Sequence, residues 1–543
     1  TLFRSVHAKR LRRLMLLFLV LGLLARSVRY FLCFPLWDDE CFLCFNFIDR
    51  GYAELLKPLH FYQVAPWLFL WIEATMVKLL GFSELSLRLF PFLCSIASLF
   101  LFRHLAQRLL RGSALIIAFA ICAVAYPCIR YAAEAKQYCA YLFASLVLVT
   151  LLVEWWQRPE RTRILWWLVA LTPLMICLSY PTLFTAGGIS LALGWHLWKT
   201  RQSGRLAWVM LNLAVLLSVG FVYVLCARHQ SNASLKAMRH YWQASFPPLS
   251  DLGKLPGWTL RAHTGALFAY PIGANNGASA LTFVCLLIAI VSLIRRREQR
   301  LLLLCLVPLA LHFFAACLQR YPYGQHPKFS HYTAPILCLL MGLGIAQTLD
   351  WWRSRPNFAR RSLAGWLVVF GLIGLGSIAR DIVRPYKTKA DLRLRAFSRW
   401  FWPNLAHESQ VADLHRDLGL TFSPRSYHEL TYVAMYHCNQ QIYSPRHRRN
   451  EKLAKLQTDR PLTCLRFCEP RLPDDRRALQ RWLTEMQKDY HLSYVERFPF
   501  PRYDKQETRL INLSYVELYR FVPRSTAKED HVAATRRDPQ KAK

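Results

Sequence analysis

The sequence alternates between long apolar runs and short polar segments that are rich in arginine and lysine. A helix needs about 20 apolar residues to cross the hydrocarbon core of a bilayer. Eleven runs approach this length, and we predict a membrane-spanning helix in each, which makes the chain an α-helical polytopic membrane protein. The runs lie near residues 14–36, 87–109, 113–131, 138–157, 164–180, 182–198, 206–226, 279–294, 301–318, 333–350 and 362–380.

The positions of the basic residues predict how these spans are oriented, because short cytoplasmic loops carry an excess of Lys and Arg. If the N-terminus is inside, the inner segments are much richer in basic residues than the outer loops. This orientation puts the first loop, residues 37–86, on the outer face. An odd number of spans puts everything after about residue 381 on that same face.

A further apolar run, residues 65–80, would move every later basic loop to the wrong side if it crossed the membrane. We therefore predict that it forms a helix lying at the outer membrane surface. Trp67 and Trp71 are one helical turn apart, and Glu73 and Lys78 follow toward its end, which suits an interfacial helix. A simple buried helix within the first outer loop is the alternative.

Composition agrees with a membrane protein, since 54% of the 543 residues are hydrophobic and only 19% are charged. A net charge of +36 would fit nucleic acid if the basic residues shared one soluble face. They instead form short clusters between apolar runs, so we expect no nucleic-acid partner. We divide the chain into a membrane module (1–383), a soluble α/β domain (384–523) and a disordered tail (524–543).

The soluble domain is predicted from mixed periodicities in the last third of the chain. Residues 405–419 and 474–489 have helical patterns, whereas residues 493–498 and 514–522 have the β-branched and aromatic content of strands. Cys464 and Cys468 stand four residues apart, and both a disulfide between them and a pair of free thiols remain open.

Three carboxylates, Asp38, Asp39 and Glu40, stand directly after the first predicted span. Acids clustered near a low-dielectric boundary repel one another and shift each other's pKa, so they typically serve a cation, a proton or an acceptor hydroxyl. A solvated loop start, or acids favoured by a helix N-terminus, is the alternative.

The order of motifs after this cluster resembles the C-type glycosyltransferase superfamily, in particular the protein O-mannosyltransferases and the lipid A aminoarabinose transferase. Asp39-Glu40 matches the family's acidic pair, and Gln63-x-Ala65-Pro66 stands where many members have a Pro-Pro motif. The segments 81–89 and 134–138 also match. The departures are the additional Asp38, which leaves the family's Asp ambiguous by one position, and Lys136 where Arg is common.

The resemblance implies inverting transfer of a sugar from a polyprenyl-phosphate donor. Such transfer needs a carboxylate to accept the acceptor's proton and a cation to stabilise the departing phosphate. We expect Asp39 to be the general base, Glu40 to orient it or the acceptor, and Asp38 to take the role if the alignment is shifted by one. The expected substrate-binding residues are Lys136 as the leading phosphate ligand, Arg88 and Arg130 as second choices, and Gln63, Tyr138, Arg320, Lys328 and Tyr332. Snorkelling at a span end is the alternative for Lys136 and Arg88.

Arg320, Lys328 and Tyr332 belong to a late outer loop that, in the family, lies across the active-site cavity from the first loop. A polar hairpin with interfacial aromatic residues is the alternative there. His326 and His331 lack an acidic partner at ligand spacing, so we expect no zinc site and no cofactor. A divalent metal is possible, but the sequence does not support one.

The expected partners are the polyprenyl phosphate sugar, an acceptor that is a glycan, a lipid or a protein, and the bilayer itself. We expect a bacterial inner membrane, with the active site and the C-terminal domain facing the periplasm. The alternative function is a polytopic transporter or lipid-carrier flippase without transfer activity. Transporters usually place charges near the middle of the membrane, whereas the acids here cluster in an outer loop, which favours the enzyme.

Overall fold

The computed structural model describes residues 2–200, 203–224, 238–273, 277–352, 354–406, 409–413, 432, 459–468, 476–503 and 510–524. The predicted disordered tail, apart from Arg524, lies outside these residues.

The membrane module is a series of helices in the order that hydropathy predicts. They are α1 (Leu2–Phe31), α2 (Asp38–Cys44), α3 (Asn46–Asp49), α4 (Trp67–Leu80), α5 (Glu84–Leu109), α6 (Gly112–Val124), α7 (Tyr126–Tyr131), α8 (Tyr138–Gln157), α9 (Arg163–Leu178), α10 (Thr182–Thr200), α11 (Arg205–Val222), α12 (Leu255–His263), α13 (Ala278–Arg295), α14 (Gln299–Cys317), α15 (Pro327–Ser330), α16 (Ala334–Trp351) and α17 (Pro356–Val383).

Within the described part of the chain, eight helical segments are long and apolar enough to cross a membrane: α1, α5, α8, α11, α13, α14, α17, and the stretch 327–351 that contains α16. The helices α6 and α9 are apolar but shorter, and α10 occupies the predicted run 182–198. All eleven predicted runs are therefore helical, and the chain is a multi-pass membrane protein.

Two of the differences between predicted and observed span bounds have a local cause. The first ends at Phe31 rather than at residue 36, because Cys33 adopts a positive φ of 49° that a helix cannot continue through. The run 113–131 is two helices, α6 and α7. Pro127 stands in the first turn of α7, where its missing N–H is tolerated. The N–H of Tyr126, the first residue of α7, donates to the Pro271 carbonyl at 2.7 Å.

Small residues bring α16 close to its neighbours. A Cβ atom added to Gly342 would lie 2.5 Å from the Cβ of Ala118 on α6, and one added to Gly344 would lie 2.0 Å from the Cys285 carbonyl oxygen on α13. Such close approach is how membrane helices gain packing energy without a hydrophobic driving force. The helix α16 is consequently held at the centre of the module.

The first outer loop folds into α2, α3 and α4 on top of the bundle. The predicted helix at 65–80 is present as α4, and it buries Phe69, Leu70, Glu73 and Ala74 while packing against α5 and α9. Its position relative to the membrane surface stays a prediction.

The last third of the chain contains α18 (Lys389–Phe401), α19 (Arg476–Met486) and a sheet of β1 (Gln410–Asp413), β2 (Leu462–Cys468), β3 (Tyr490–Tyr503) and β4 (Leu510–Pro523). The strand order is β1-β2-β4-β3, with β1 parallel to β2 and the other pairs antiparallel. The apolar face of α19, including Trp482, packs on this sheet. The α/β fold class predicted for this region is thus confirmed.

The predicted helix over 405–419 is wrong at residues 410–413, which form β1. Pairing with β2 decides the conformation there, since Val411 is buried and lies opposite Thr463. Residues 414–419 lie outside the described residues. Cys464 and Cys468 do not pair with each other, because four residues of extended strand separate their Cα atoms by about 13 Å, too far for a disulfide.

The sheet packs against the first outer loop, so the two regions lie on one side of the bundle. Leu465, Val516 and Leu518 of the sheet share a hydrophobic core with Leu36 and Cys41 beside the acidic cluster. This contact agrees with the expectation that both regions occupy the same face.

Candidate active site

Glu40 is a buried anchor. Its two carboxylate oxygens accept hydrogen bonds from the Arg88 guanidinium at 2.9 and 2.8 Å, from the Ala135 N–H at 2.6 Å and from the Trp37 N–H at 3.3 Å. Arg88 also donates to the carbonyl oxygens of Phe34 and Pro35. The pair therefore ties the end of α1, the start of α5 and the turn before α8 together. Both side chains are almost fully buried, with 2% of Arg88 and 1% of Glu40 exposed.

Asp39 turns the other way and meets two ammonium groups. Its Oδ1 accepts from Lys136 Nζ at 3.0 Å, and its Oδ2 accepts from Lys328 Nζ at 3.0 Å and from the Tyr138 hydroxyl at 3.2 Å. Lys136 Nζ donates a second hydrogen bond to Gln63 Oε1 at 2.7 Å. The side chain of Asp39 keeps 21% of its surface exposed, whereas that of Lys136 keeps only 3%. One carboxylate thus holds together three loops.

The ion pairs determine the protonation state of Asp39. Burial alone would raise the pKa of its carboxyl, but the ammonium groups of Lys136 and Lys328 outweigh that effect and hold the pKa well below its ordinary value. Asp39 is therefore an ionised carboxylate throughout the neutral pH range. The cluster of one carboxylate and two ammonium groups carries net positive charge, which suits an anionic ligand.

A cavity of about 880 Å³ lies beside this cluster, between α7, α12 and α17. The side chains of Arg130, Arg261 and Arg380 line it, and no Asp or Glu does so within the described residues. His326 and Pro327, which directly precede Lys328, form part of its wall. The cavity is large enough for a phosphorylated sugar and is positive on several sides.

Arg130 is the cavity arginine nearest to the acidic cluster in the sequence. Its Nε donates to Glu134 Oε1 at 2.6 Å, while 30% of its side chain remains exposed. Burial would raise the pKa of Glu134, but Arg130, with help from Lys387, lowers it. Arg130 is thus held by one carboxylate and keeps guanidinium N–H groups available for a second anion.

Several residues named from the sequence come together, and others do not. Asp39, Gln63, Lys136, Tyr138 and Lys328 form one hydrogen-bonded cluster. The exposed Arg320 lies outside the cluster. Tyr332 is buried, with its hydroxyl donating to the Pro308 carbonyl at 3.3 Å. The side chain of Asp38 lies outside the described part of the structure.

The sequence reasoning did not identify Trp242, Arg261 or Arg380, which border the cluster or the cavity. Each is far along the chain from Asp39 and carries no local motif. The one signal in the sequence is their position: Trp242 and Arg261 lie between the predicted spans 206–226 and 279–294, and Arg380 ends the last predicted span.

Among the described residues, no group of three His, Cys, Asp or Glu side chains is arranged to hold a metal ion. Three carboxylates of the described site are bound by cations: Asp39 by Lys136 and Lys328, Glu40 by Arg88, and Glu134 by Arg130.

No family model matches the sequence, and no curated protein matches it. The fold is similar to two crystal structures of ArnT from Cupriavidus metallidurans. With the structure bound to undecaprenyl phosphate, the TM-score is 0.50 at 13% identity, over 92% of this chain and 97% of ArnT. With the apo structure, the TM-score is 0.52 at 12% identity, over 93% of this chain and 97% of ArnT. The chain therefore has the C-type glycosyltransferase fold that the motifs of its first outer loop predict.

Proposed function

We propose that the chain is a membrane glycosyltransferase that moves a sugar from a polyprenyl-phosphate donor to an acceptor hydroxyl. The observation that carries the proposal is the part-exposed Asp39 carboxylate, which is held between Lys136 and Lys328. Lys328 directly follows His326 and Pro327 in the wall of an arginine-lined cavity. The similarity in fold to ArnT, which has been crystallised with undecaprenyl phosphate, supports a lipid-linked donor.

Asp39 acts as the general base of a single displacement. The acceptor oxygen bonds to the anomeric carbon while the bond from that carbon to the phosphate oxygen breaks, and the electron pair leaves with the phosphate. Attack from the opposite side inverts the anomeric configuration. Because its pKa is low, Asp39 accepts the hydroxyl proton only as the new bond forms and the attacking oxygen becomes strongly acidic.

The leaving phosphate needs cations, and the site offers two places for it. Lys136 is the ligand expected from the motif, but its ammonium already donates to Asp39 and Gln63 and is nearly inaccessible. Arg130 faces the cavity and keeps donors available. We therefore favour Arg130, with Arg261 and Arg380, for the phosphate, and Lys136 for holding the base.

We further propose that the reaction takes place on the extracytoplasmic face, which is the periplasmic face of a bacterial inner membrane. The basic inner loops support this orientation. The acceptor is a glycan, a lipid or a protein that carries a hydroxyl within reach of Asp39.

The test is to incubate the purified protein with a panel of polyprenyl phosphate sugars and an extract of membrane glycans, lipids and proteins as the acceptor source. Released polyprenyl phosphate and a glycosylated product are the expected results, and both should disappear with Asp39→Asn. The absence of release with every donor, in protein that is folded, contradicts the proposal. If the same protein in vesicles moves intact donor across the bilayer, the flippase alternative replaces it.

A further inference from the structure

The Lys328 ammonium group lies in a pocket of aromatic rings. Its Nζ is 4.6 Å from the ring centre of Trp242, 5.4 Å from that of Phe329 and 5.9 Å from that of Tyr138. Its ion-pair partner among the described residues is Asp39, at 3.0 Å. Lysine ammonium groups are attracted to the faces of aromatic rings, most strongly to tryptophan.

The two lysines on Asp39 are held in different ways. Lys136 is fixed by two oxygen acceptors, Asp39 and Gln63. Within the described residues, Lys328 donates to one acceptor, the Asp39 carboxylate, and its side chain is 12% exposed. A lysine side chain loses considerable rotational freedom when it is fixed, so one ion pair at a partly exposed site is a weak restraint. The ring of Trp242 supplies the second restraint.

Trp242 comes from a separate segment that is fastened to the loop carrying Lys328. The Tyr323 N–H donates to the Ser245 carbonyl at 2.9 Å, and Gln325 Nε2 donates to the Ala244 carbonyl at 3.2 Å. The Trp242 ring also makes edge-to-face contacts with His326 and Phe329, at centroid distances of 4.9 and 5.0 Å. The ring is consequently fixed beside the Lys328 ammonium group.

We propose that Trp242 is a positioning residue that holds the Lys328 ammonium against Asp39. The inference rests on the proposed function, in which Asp39 is the base. In the reaction, Trp242 keeps the positive charge of Lys328 beside the carboxylate and so keeps Asp39 ionised and oriented toward the acceptor. Without the ring, the ammonium swings into the adjoining cavity and leaves Asp39 bound by Lys136 and Tyr138.

The first test measures the position of Lys328 and does not depend on activity. Purified protein is treated briefly with a water-soluble amine-acetylating reagent, and modified lysines are quantified by mass spectrometry. We expect Trp242→Leu to raise the rate of Lys328 acetylation at least fivefold and to leave Lys136 unchanged. Trp242→Phe retains a ring face and should change the rate less than twofold. Equal rates for Lys328 in the parent and in Trp242→Leu overturn the proposal, and so does a matching rise at Lys136, which indicates general opening.

The second test is a double-mutant cycle on turnover. We expect Trp242→Leu to lower kcat about tenfold with little change in KM for the donor, and Trp242→Phe to restore most of the rate. In a Lys328→Met background, Trp242→Leu should have less than a twofold effect, because the group it positions is gone. An equal loss in both backgrounds shows that Trp242 acts independently of Lys328 and overturns the proposal.

Tyr241→Leu is the matched control: Tyr241 is exposed and meets the edge of the Trp242 ring at a centroid distance of 4.9 Å, but within the described structure the rings around Lys328 are those of Trp242, Phe329 and Tyr138. It should leave both acetylation and turnover at parental values. If the parent transfers no sugar from any donor, the proposed function fails, whereas the acetylation experiment still decides whether Trp242 holds Lys328.

Discussion

Replacement of Asp39 by Asn is the most direct test of the chemistry, because it keeps the volume of the side chain and removes the proton acceptor. A positioned general base contributes about 10² to 10⁴ in rate. We therefore expect turnover to fall by that factor, which corresponds to about 3–5 kcal/mol in the activation barrier. Donor binding should survive, because the cavity arginines are unchanged.

The structure also predicts a cost in stability that the assay must separate from the cost in rate. The amide of Asn offers one oxygen to the two ammonium groups of Lys136 and Lys328, and its NH₂ group faces one of them as a second donor. An unsatisfied buried polar group costs about 1–3 kcal/mol, and the 21% exposure of Asp39 favours the lower end of that range. Thermal unfolding in detergent should therefore show a folded but less stable variant.

The assay compares single-turnover release of polyprenyl phosphate by the parent, Asp39→Asn and Asp38→Asn, at temperatures where all three are folded. Donor affinity is measured separately by equilibrium binding. Asp38→Asn should lose much less activity. Parental turnover by folded Asp39→Asn refutes the assignment, and if Asp38→Asn is inactive in the same experiment, the role of base moves to Asp38.

The remaining predictions concern topology, the phosphate and the buried ion pair. Single cysteines introduced in the loop 37–86 and next to Tyr494 should react with a membrane-impermeant reagent from the same side; reaction from opposite sides contradicts the orientation. Arg130→Ala should weaken donor use about ten- to a hundredfold, as loss of a charge-assisted contact worth about 1.5–3 kcal/mol implies. If Lys136 binds phosphate, Lys136→Ala should lower donor use by a similar factor. If Lys136 instead holds the base, the same variant should lower kcat and leave donor affinity unchanged. Lys136→Arg should retain much of the activity. Arg88→Met should destabilise the fold by about 3–5 kcal/mol in detergent unfolding, because it leaves the Glu40 carboxylate buried and unpaired. A change in unfolding free energy below about 1 kcal/mol argues against that pairing.

Hydropathy and short motifs are sufficient to predict the helices and half of the site. A segment inside a bilayer must pair its own backbone N–H and C=O groups, so an apolar run of spanning length forms a helix. Eleven such runs therefore predict eleven helical regions. The break before Pro127 is a local effect that the apolar pattern of the run hides. The strand at 410–413 is the opposite case, because its conformation depends on pairing with residues 462–465, about fifty positions away.

At the site, too, the sequence is sufficient to predict some features and not others. Asp39 and Lys136 are recognisable because each belongs to a motif, but their mutual hydrogen bond depends on the packing of two loops that are 97 residues apart. Trp242 has no motif, and its role follows from two further loops that meet at Lys328. The sequence therefore indicates which side chains could act as a base or bind a phosphate, whereas the tertiary contacts decide which of them remain accessible to a substrate.

The adjacent residues Asp39 and Glu40 show how those contacts divide two similar carboxylates. Successive side chains on a helix point about 100° apart, so α2 directs Glu40 into the protein and leaves Asp39 partly exposed. Glu40 has both oxygens bound by Arg88 and backbone N–H groups, with 1% of its side chain exposed. An acceptor hydroxyl therefore has no path to it. Asp39 has a fifth of its surface accessible, and its ion-pair partners are the ammonium groups of Lys136 and Lys328. Because a general base must contact the proton it accepts, this geometry favours Asp39 over Glu40 as the proposed base and leaves Glu40 to fix the orientation of α2.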